Sequence, residues 1–222
     1  MTNSDLANRF VDSVAYEIRL ANTADIPFLA DIERAAAQQF LPYLDWLEIS
    51  VDLLEGLTNI GFLLKAQADR RLWVADLTDS AIDLTADSAK GSTKGSTTDS
   101  ARNLALSPVV GFVVVKHLLA SCFIVELDVH PDYGRLGIGS ALVNACCQGA
   151  QQRNFDQVLL TTFRKVPWNI PFYQRLGFEV LPEQIWASEI RAIVEYETRY
   201  GFAPEKRAVM RRYLLREEEA PS

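Results

Sequence analysis

Two groups of residues in this chain have types and spacing suited to chemistry. Gly134, Gly137 and Gly139 stand where Ile138, Ala141, Leu142, Ala145 and Cys146 begin to recur at helical spacing. The free N–H groups of such a loop, and of the helix it opens, converge on one spot that suits an anion such as a phosphate. Upstream, Glu126 and Asp128 are two residues apart on an extended run and share one side of it. Their spacing alone leaves open whether they are solvated strand carboxylates or reactive ones.

The elements that must hold these residues are also readable. Phe123 to Val129 alternates its apolar residues with Ile124, Glu126 and Asp128, and its β-branched residues favour a strand. Pro131, Asp132 and Gly134 stop that strand. A dinucleotide fold needs G-x-G-x-x-G directly after its strand, whereas this loop reads G-x-x-G-x-G and follows His130-Pro131-Asp132-Tyr133. A P-loop needs a lysine before its Ser/Thr, and Gly139-Ser140 has none. The segment instead resembles motif A of the GNAT superfamily of N-acetyltransferases, Leu-x-Val-x-Pro-x-Tyr-Arg/Gln-Gly-x-Gly-Ile-Gly. Leu127, Val129, Pro131, Tyr133, Gly137, Ile138 and Gly139 match it, while the usual Arg/Gln-Gly pair is swapped, as Gly134-Arg135. The run from Asn169 to Phe178 resembles a second signature of that superfamily, with Tyr173 ahead of Leu176-Gly177-Phe178.

The resemblance covers about residues 14–181 and implies an α/β fold: a GNAT-type mixed, mainly antiparallel sheet with a splayed parallel strand pair, flanked by helices. It implies acetyl-CoA as co-substrate. Leu127, Asp128 and Val129 would then run beside the pantetheine. Gly134, Arg135, Leu136, Gly137, Ile138, Gly139 and Ser140 would take the pyrophosphate, and Asn169 and Phe172 would touch the cofactor from the second motif. Acetyl transfer needs a neutral amine, and a free alkyl amine has a pKa near ~10.4, so a base must remove a proton. Glu126 occupies the place where many family members carry that carboxylate, with Asp128 in reserve. Tyr173 is the family's usual proton donor to the departing thiolate. Tyr43 and Trp46 fall in the part of the chain that covers the acceptor site in that family. The implied activity is transfer of acetyl to a primary amine of a small molecule or peptide. The alternative is a catalytically inactive CoA-binding sensor or interaction module.

Composition is consistent with this. The 222 residues are 49% hydrophobic and 23% charged, an ordinary globular balance with ample material for a core. A net charge of −7 argues against nucleic acid as partner and favours a cationic small substrate. Cys122, Cys146 and Cys147 form neither a disulfide framework nor a metal-ligand spacing, which points to a reducing cytoplasm and no metal. No apolar run has membrane-spanning length, so no membrane partner is expected. A homodimer is compatible with all of this.

In chain order, residues 1–13 read as a flexible lead-in, and Tyr16 to Leu20 as a strand. Thr23 is positioned to cap a helix bearing Ile26, Leu29, Ala30 and Ile32. A second helical region spans Gln38 to Ala66, broken near Pro42 and near Asn59-Ile60-Gly61. Arg71 to Leu77 is a strand, and residues 78–107 are a low-complexity loop insert with a tandem Lys-Gly-Ser-Thr. Val109 to Leu118 reads as a central strand with a bulge at Gly111. Gln157 to Phe163 is a strand, Asn169 to Gly177 a short helix, and Phe178 starts a hairpin arm. Residues 182–222 form a helix-and-strand extension of the same domain.

Overall fold

The computed structural model describes residues 15–54, 56–78 and 109–214. Seven strands, β1 (Tyr16–Leu20), β2 (Leu72–Leu77), β3 (Val109–His117), β4 (Cys122–Val129), β5 (Gln157–Phe163), β6 (Glu179–Val180) and β7 (Arg207–Tyr213), form one sheet. Their order is β1-β2-β3-β4-β5-β7-β6. Every neighbouring pair is antiparallel except β4–β5, which is parallel. The helices are α1 (Ile26–Ala37), α2 (Leu44–Leu47), α3 (Val51–Leu54), α4 (Ile60–Ala68), α5 (Ile138–Gln151), α6 (Asn169–Arg175) and α7 (Ser188–Tyr200). The mixed, mainly antiparallel sheet flanked by helices is the expected α/β architecture.

The two faces of the sheet carry different cores. On one, Leu29, Ile32 and Leu63 of α1 and α4 pack on Leu72, Val74, Phe112 and Val114. Further along that face, Ile190 and Val194 of α7 cover Phe123, Leu159 and Val209. On the other, Leu142, Val143, Cys146 and Ala150 of α5 cover Trp73, Val113, Ile124, Val158 and Leu160. β3 is buried on both faces from Val109 to Val115, which explains its unbroken apolar run. All three cysteines are free and buried.

Several sequence expectations shift. Thr23 does not cap the first helix. A 3-10 turn, Thr23–Asp25, precedes α1, so the cap falls one residue earlier. Asn22 accepts the Ala24 N–H at 2.8 Å and its own N–H donates to Asp25 at 2.8 Å, a reciprocal capping box. The region after α1 is a 3-10 segment containing Pro42, then α2 and α3, separated by Glu48 in the left-handed region (φ 59°). Asn59 caps α4 by accepting the Phe62 N–H. The bulge expected at Gly111 falls on its neighbour: Ala75 pairs with Gly111 and Asp76 with Val109, leaving Val110 as the extra residue. Apart from Thr78, the insert lies outside the described residues, as does the N-terminal lead-in.

Candidate active site

The site is built on a gap in the sheet. β4 and β5 pair only through Cys122–Val158, Phe123–Leu159 and Ile124–Leu160, although β4 runs on to Val129 and β5 to Phe163. Beyond Ile124 the two strands splay. The cause lies on the other edge of β4, where Val115 pairs with Ile124 but Val114 with Glu126, so Val125 is a bulge. A bulge bends its strand and terminates pairing. Further along, the His130 N–H donates to the Val110 carbonyl at 2.8 Å. Amides alternate along an antiparallel strand, so Leu127 and Val129 turn their N–H and C=O groups away from β3, toward the gap.

The glycine loop closes the end of this gap. Gly137 (φ 83°) is the N-cap of α5 and supplies no side-chain cap, so the first-turn N–H groups of Ile138, Gly139 and Ser140 lack intrahelical partners. Arg135 is left-handed (φ 63°), whereas Gly134 is extended (φ −64°, ψ 153°). The swapped pair therefore puts the left-handed position on the arginine, not the glycine. Two left-handed residues in a short loop give a curl of the kind that forms anion-binding nests. Phe172 of α6 packs against Gly139, its Cζ 3.4 Å from where a Cβ would stand.

The bulge also decides which way the carboxylates face. Glu126 and Asp128 stand opposite Val114 and Phe112 and share their face, toward α1. Ile124, expected on that face from strict alternation, packs on the α5 side. Removal from water pushes the Glu126 carboxyl up to about 7, reinforced by Glu33 and opposed by Arg207 and by a hydrogen bond from the Leu127 N–H. The same desolvation, with the charges of Glu126 and Glu33, holds Asp128 well above the usual carboxylate range. Glu33, on the buried side of α1, is raised by burial too. Behind Glu126, Arg207 donates to Glu197 and to the Thr161 hydroxyl, and that hydroxyl donates to Glu197.

Tyr173 of α6 is half-buried against Phe172 and Phe178. Desolvation, then the charges of Glu126 and Asp128, push its phenol well above the ordinary range, with Arg207 opposing and Cys146 of α5 adding a smaller push. It thus senses groups from both faces of the sheet, as expected of a side chain in the gap between splayed strands. Asn169 is buried at the start of α6. Tyr43 is set edge-on to Trp168 at 5.4 Å, and Phe40 bridges Trp168 and Phe163. Trp46 belongs to the same cluster, with the ammonium groups of Lys165 and Lys206 5.5 and 5.4 Å from its ring centroid. Among the described residues, no group of three His, Cys, Asp or Glu is placed to hold a metal ion. No helix among them is long and apolar enough to cross a membrane.

Residues 101–180 match the model of the acetyltransferase (GNAT) domain. The chain has the GNAT fold. Its structure superposes on the ribosomal-protein-S18-alanine N-acetyltransferase of Escherichia coli with a TM-score of 0.54 at 14% identity, covering 94% of this chain and 99% of that one. PaiA N-acetyltransferase of Thermoplasma acidophilum, solved in complex with coenzyme A, gives 0.57 at 14% identity, covering 90% and 99%. Ard1 of Thermoplasma volcanium gives 0.55 at 18% identity, covering 91% and 99%.

Within this GNAT sheet, three features escaped the sequence reading. Glu33 lies on the α1 stripe shared by Ile26, Leu29 and Ala36, and a carboxylate at that helical spacing was the available signal. The bulge at Val125 has no marker, since no glycine or proline stands there. Arg207 and Glu197 come from distant segments: the pairing of β7 with β5 sets Arg207 opposite Phe163, and an ion pair joins it to Glu197 of α7.

Proposed function

We propose that this chain is an acetyl-CoA-dependent N-acetyltransferase acting on a primary amine of a small molecule or peptide. The observation that carries this reading is the β4–β5 gap. It has backbone released from strand pairing along one wall, an uncapped helix N-terminus at its end, and Tyr173 in the field of the Glu126 carboxylate. The residues fit the co-substrate. Leu127 and Val129 can pair with the pantetheine amides as an added strand would, and the N–H groups from Arg135 to Ser140 can take the pyrophosphate. Phe172 lies against Gly139 beside that position, and Asn169 starts the same helix. Tyr43 and Trp46 line the acceptor side.

Acetyl-CoA supplies an acyl group activated as a thioester. Glu126, poised near neutrality, takes the proton from the attacking amine. The backbone N–H groups facing the gap can stabilise charge that grows on the carbonyl oxygen. Tyr173 holds its proton at neutral pH and delivers it to the departing sulfur. A proton arriving on Glu126 cancels one of the charges that raise Tyr173, so the base's action makes the acid stronger.

The test is release of free thiol from acetyl-CoA against a panel of amines, with melting temperature followed alongside. Binding only the folded protein at ~100 times the dissociation constant adds about 2.7 kcal/mol. For a chain of this size that is roughly 5–10 °C. Turnover with at least one amine is expected. Absence of both a thermal shift and thiol release would overturn the reading, and a shift without turnover would favour a CoA-binding module.

A further inference from the structure

Glu33 is a carboxylate that the acetyl-transfer chemistry leaves without a task. Only 8% of it is exposed, and its Oε1 accepts both the N–H and the hydroxyl of Thr58 at 2.8 Å. Its Oε2 is buried without a hydrogen-bond partner among the described residues, and so is Oδ2 of Asp128. Glu33 is near enough to act on both Glu126 and Asp128, from a helix packed across the strand that carries them. The neighbouring cations are engaged elsewhere, Arg207 with Glu197 and Thr161, and Arg34 with Asp31. A buried carboxylate oxygen without a donor is costly, so two of them in one carboxylate cluster make a receptor for N–H groups. A metal ion does not match, because no three such groups among the described residues converge on one point. Acceptors spread over a helix and a strand suit an elongated organic cation instead.

Resting on the acetyl-transfer reading, we propose that Glu33 and Asp128 bind a second ammonium group of the acceptor, so that the site selects aliphatic diamines and polyamines over monoamines. The reacting nitrogen gives its proton to Glu126 and becomes neutral. The far nitrogen keeps its charge and donates to Glu33 Oε2 and Asp128 Oδ2. Thr58 fixes the orientation of Glu33 and is therefore the positioning residue. The net charge of −7 draws such polycations toward the protein.

The experiment compares kcat/KM for an alkyl monoamine and a diamine of equal chain length at saturating acetyl-CoA, in the wild type, Glu33→Gln and Thr58→Val. Calorimetric titration of the diamine into protein saturated with coenzyme A accompanies it. The wild type should favour the diamine at least tenfold. Glu33→Gln should cut the diamine-to-monoamine ratio tenfold or more, mainly through KM. Thr58→Val, which keeps Glu33 but removes one of the donors that orient it, should move the ratio the same way by less. It carries the test if Glu33→Gln does not fold. Equal use of both amines by the wild type, or an unchanged ratio in the variants, overturns the proposal. No turnover with any amine overturns the transferase reading instead. In that case, diamine binding that weakens in Glu33→Gln still supports the second-ammonium site, and absence of diamine binding overturns it.

Discussion

Phe172 rests on Gly139, joining the helix of the second motif to the first turn of α5. A Cβ on Gly139 would stand 3.4 Å from the Phe172 ring, an ordinary contact, whereas a Cβ on Gly149 would stand 2.4 Å from Cζ2 of Trp73. Both glycines lie in one helix, where alanine gains up to about 1 kcal/mol in propensity. Gly139→Ala should therefore leave stability within about 1 kcal/mol of the wild type. Gly149→Ala should lose on the order of 1–3 kcal/mol, because the rigid indole must move in a packed core. Chemical denaturation of the two variants measures the difference, and equal stabilities would mean that Trp73 shifts freely.

That contrast marks how far the sequence could be read. Helix α5, β5 and the glycine loop follow from periodicity and from Gly137, because those signals are local. The facing of Glu126 does not, because one extra residue at Val125 reverses the side-chain parity of β4. A bulge is decided by pairing with β3, which a strand's own residues do not encode. Asn22 was missed as the cap for a similar reason, since a 3-10 turn displaced the helix start. Glu33 reaches the carboxylates through tertiary packing alone.

The swapped pair at the loop gives a second prediction. Arg135 holds φ at 63°, a region that costs a residue with a Cβ on the order of 1 kcal/mol, while Gly134 is extended and gains nothing from being glycine. The double variant Gly134→Arg/Arg135→Gly should fold with equal or higher melting temperature. Its affinity for coenzyme A, measured by calorimetry, should stay within a few-fold of the wild type if the backbone N–H groups supply most of the anion binding. A large loss would show that the guanidinium at position 135 itself holds the phosphates.

Glu126 links stability to pH. Its folded value of about 7 lies above the ordinary 4.5, so between these two values the folded protein holds a proton that the unfolded chain has released. This contribution to stability is fully present below pH 4.5 and is lost as pH rises through 7. Asp128 and Glu33 shift in the same direction. Glu126→Gln carries no such charge, so it should melt above the wild type at pH 8, and the gap should close toward pH 5. Parallel melting curves that never converge would place Glu126 in a solvated, unshifted state.

The same carboxylate and Tyr173 should fail differently in catalysis. Tyr173→Phe removes the proposed proton donor while keeping the ring packed between Phe172 and Phe178, so acetyl-CoA binding should survive and turnover should fall. Acid–base groups contribute on the order of 100- to 10,000-fold, so the loss should be large. In the wild type, kcat/KM should rise through pH 7 as Glu126 sheds its proton. Glu126→Gln should lose that inflection, and its defect should shrink at high pH, where more of the amine arrives neutral. Alkaline solvent offers no proton to a thiolate, so Tyr173→Phe should gain no comparable rescue. Parallel pH–rate profiles on one active amine separate the two. If Glu126→Gln follows the wild type at every pH, the base is Asp128 or a relayed water, and the near-neutral carboxyl on β4 serves the acceptor's charge rather than its proton.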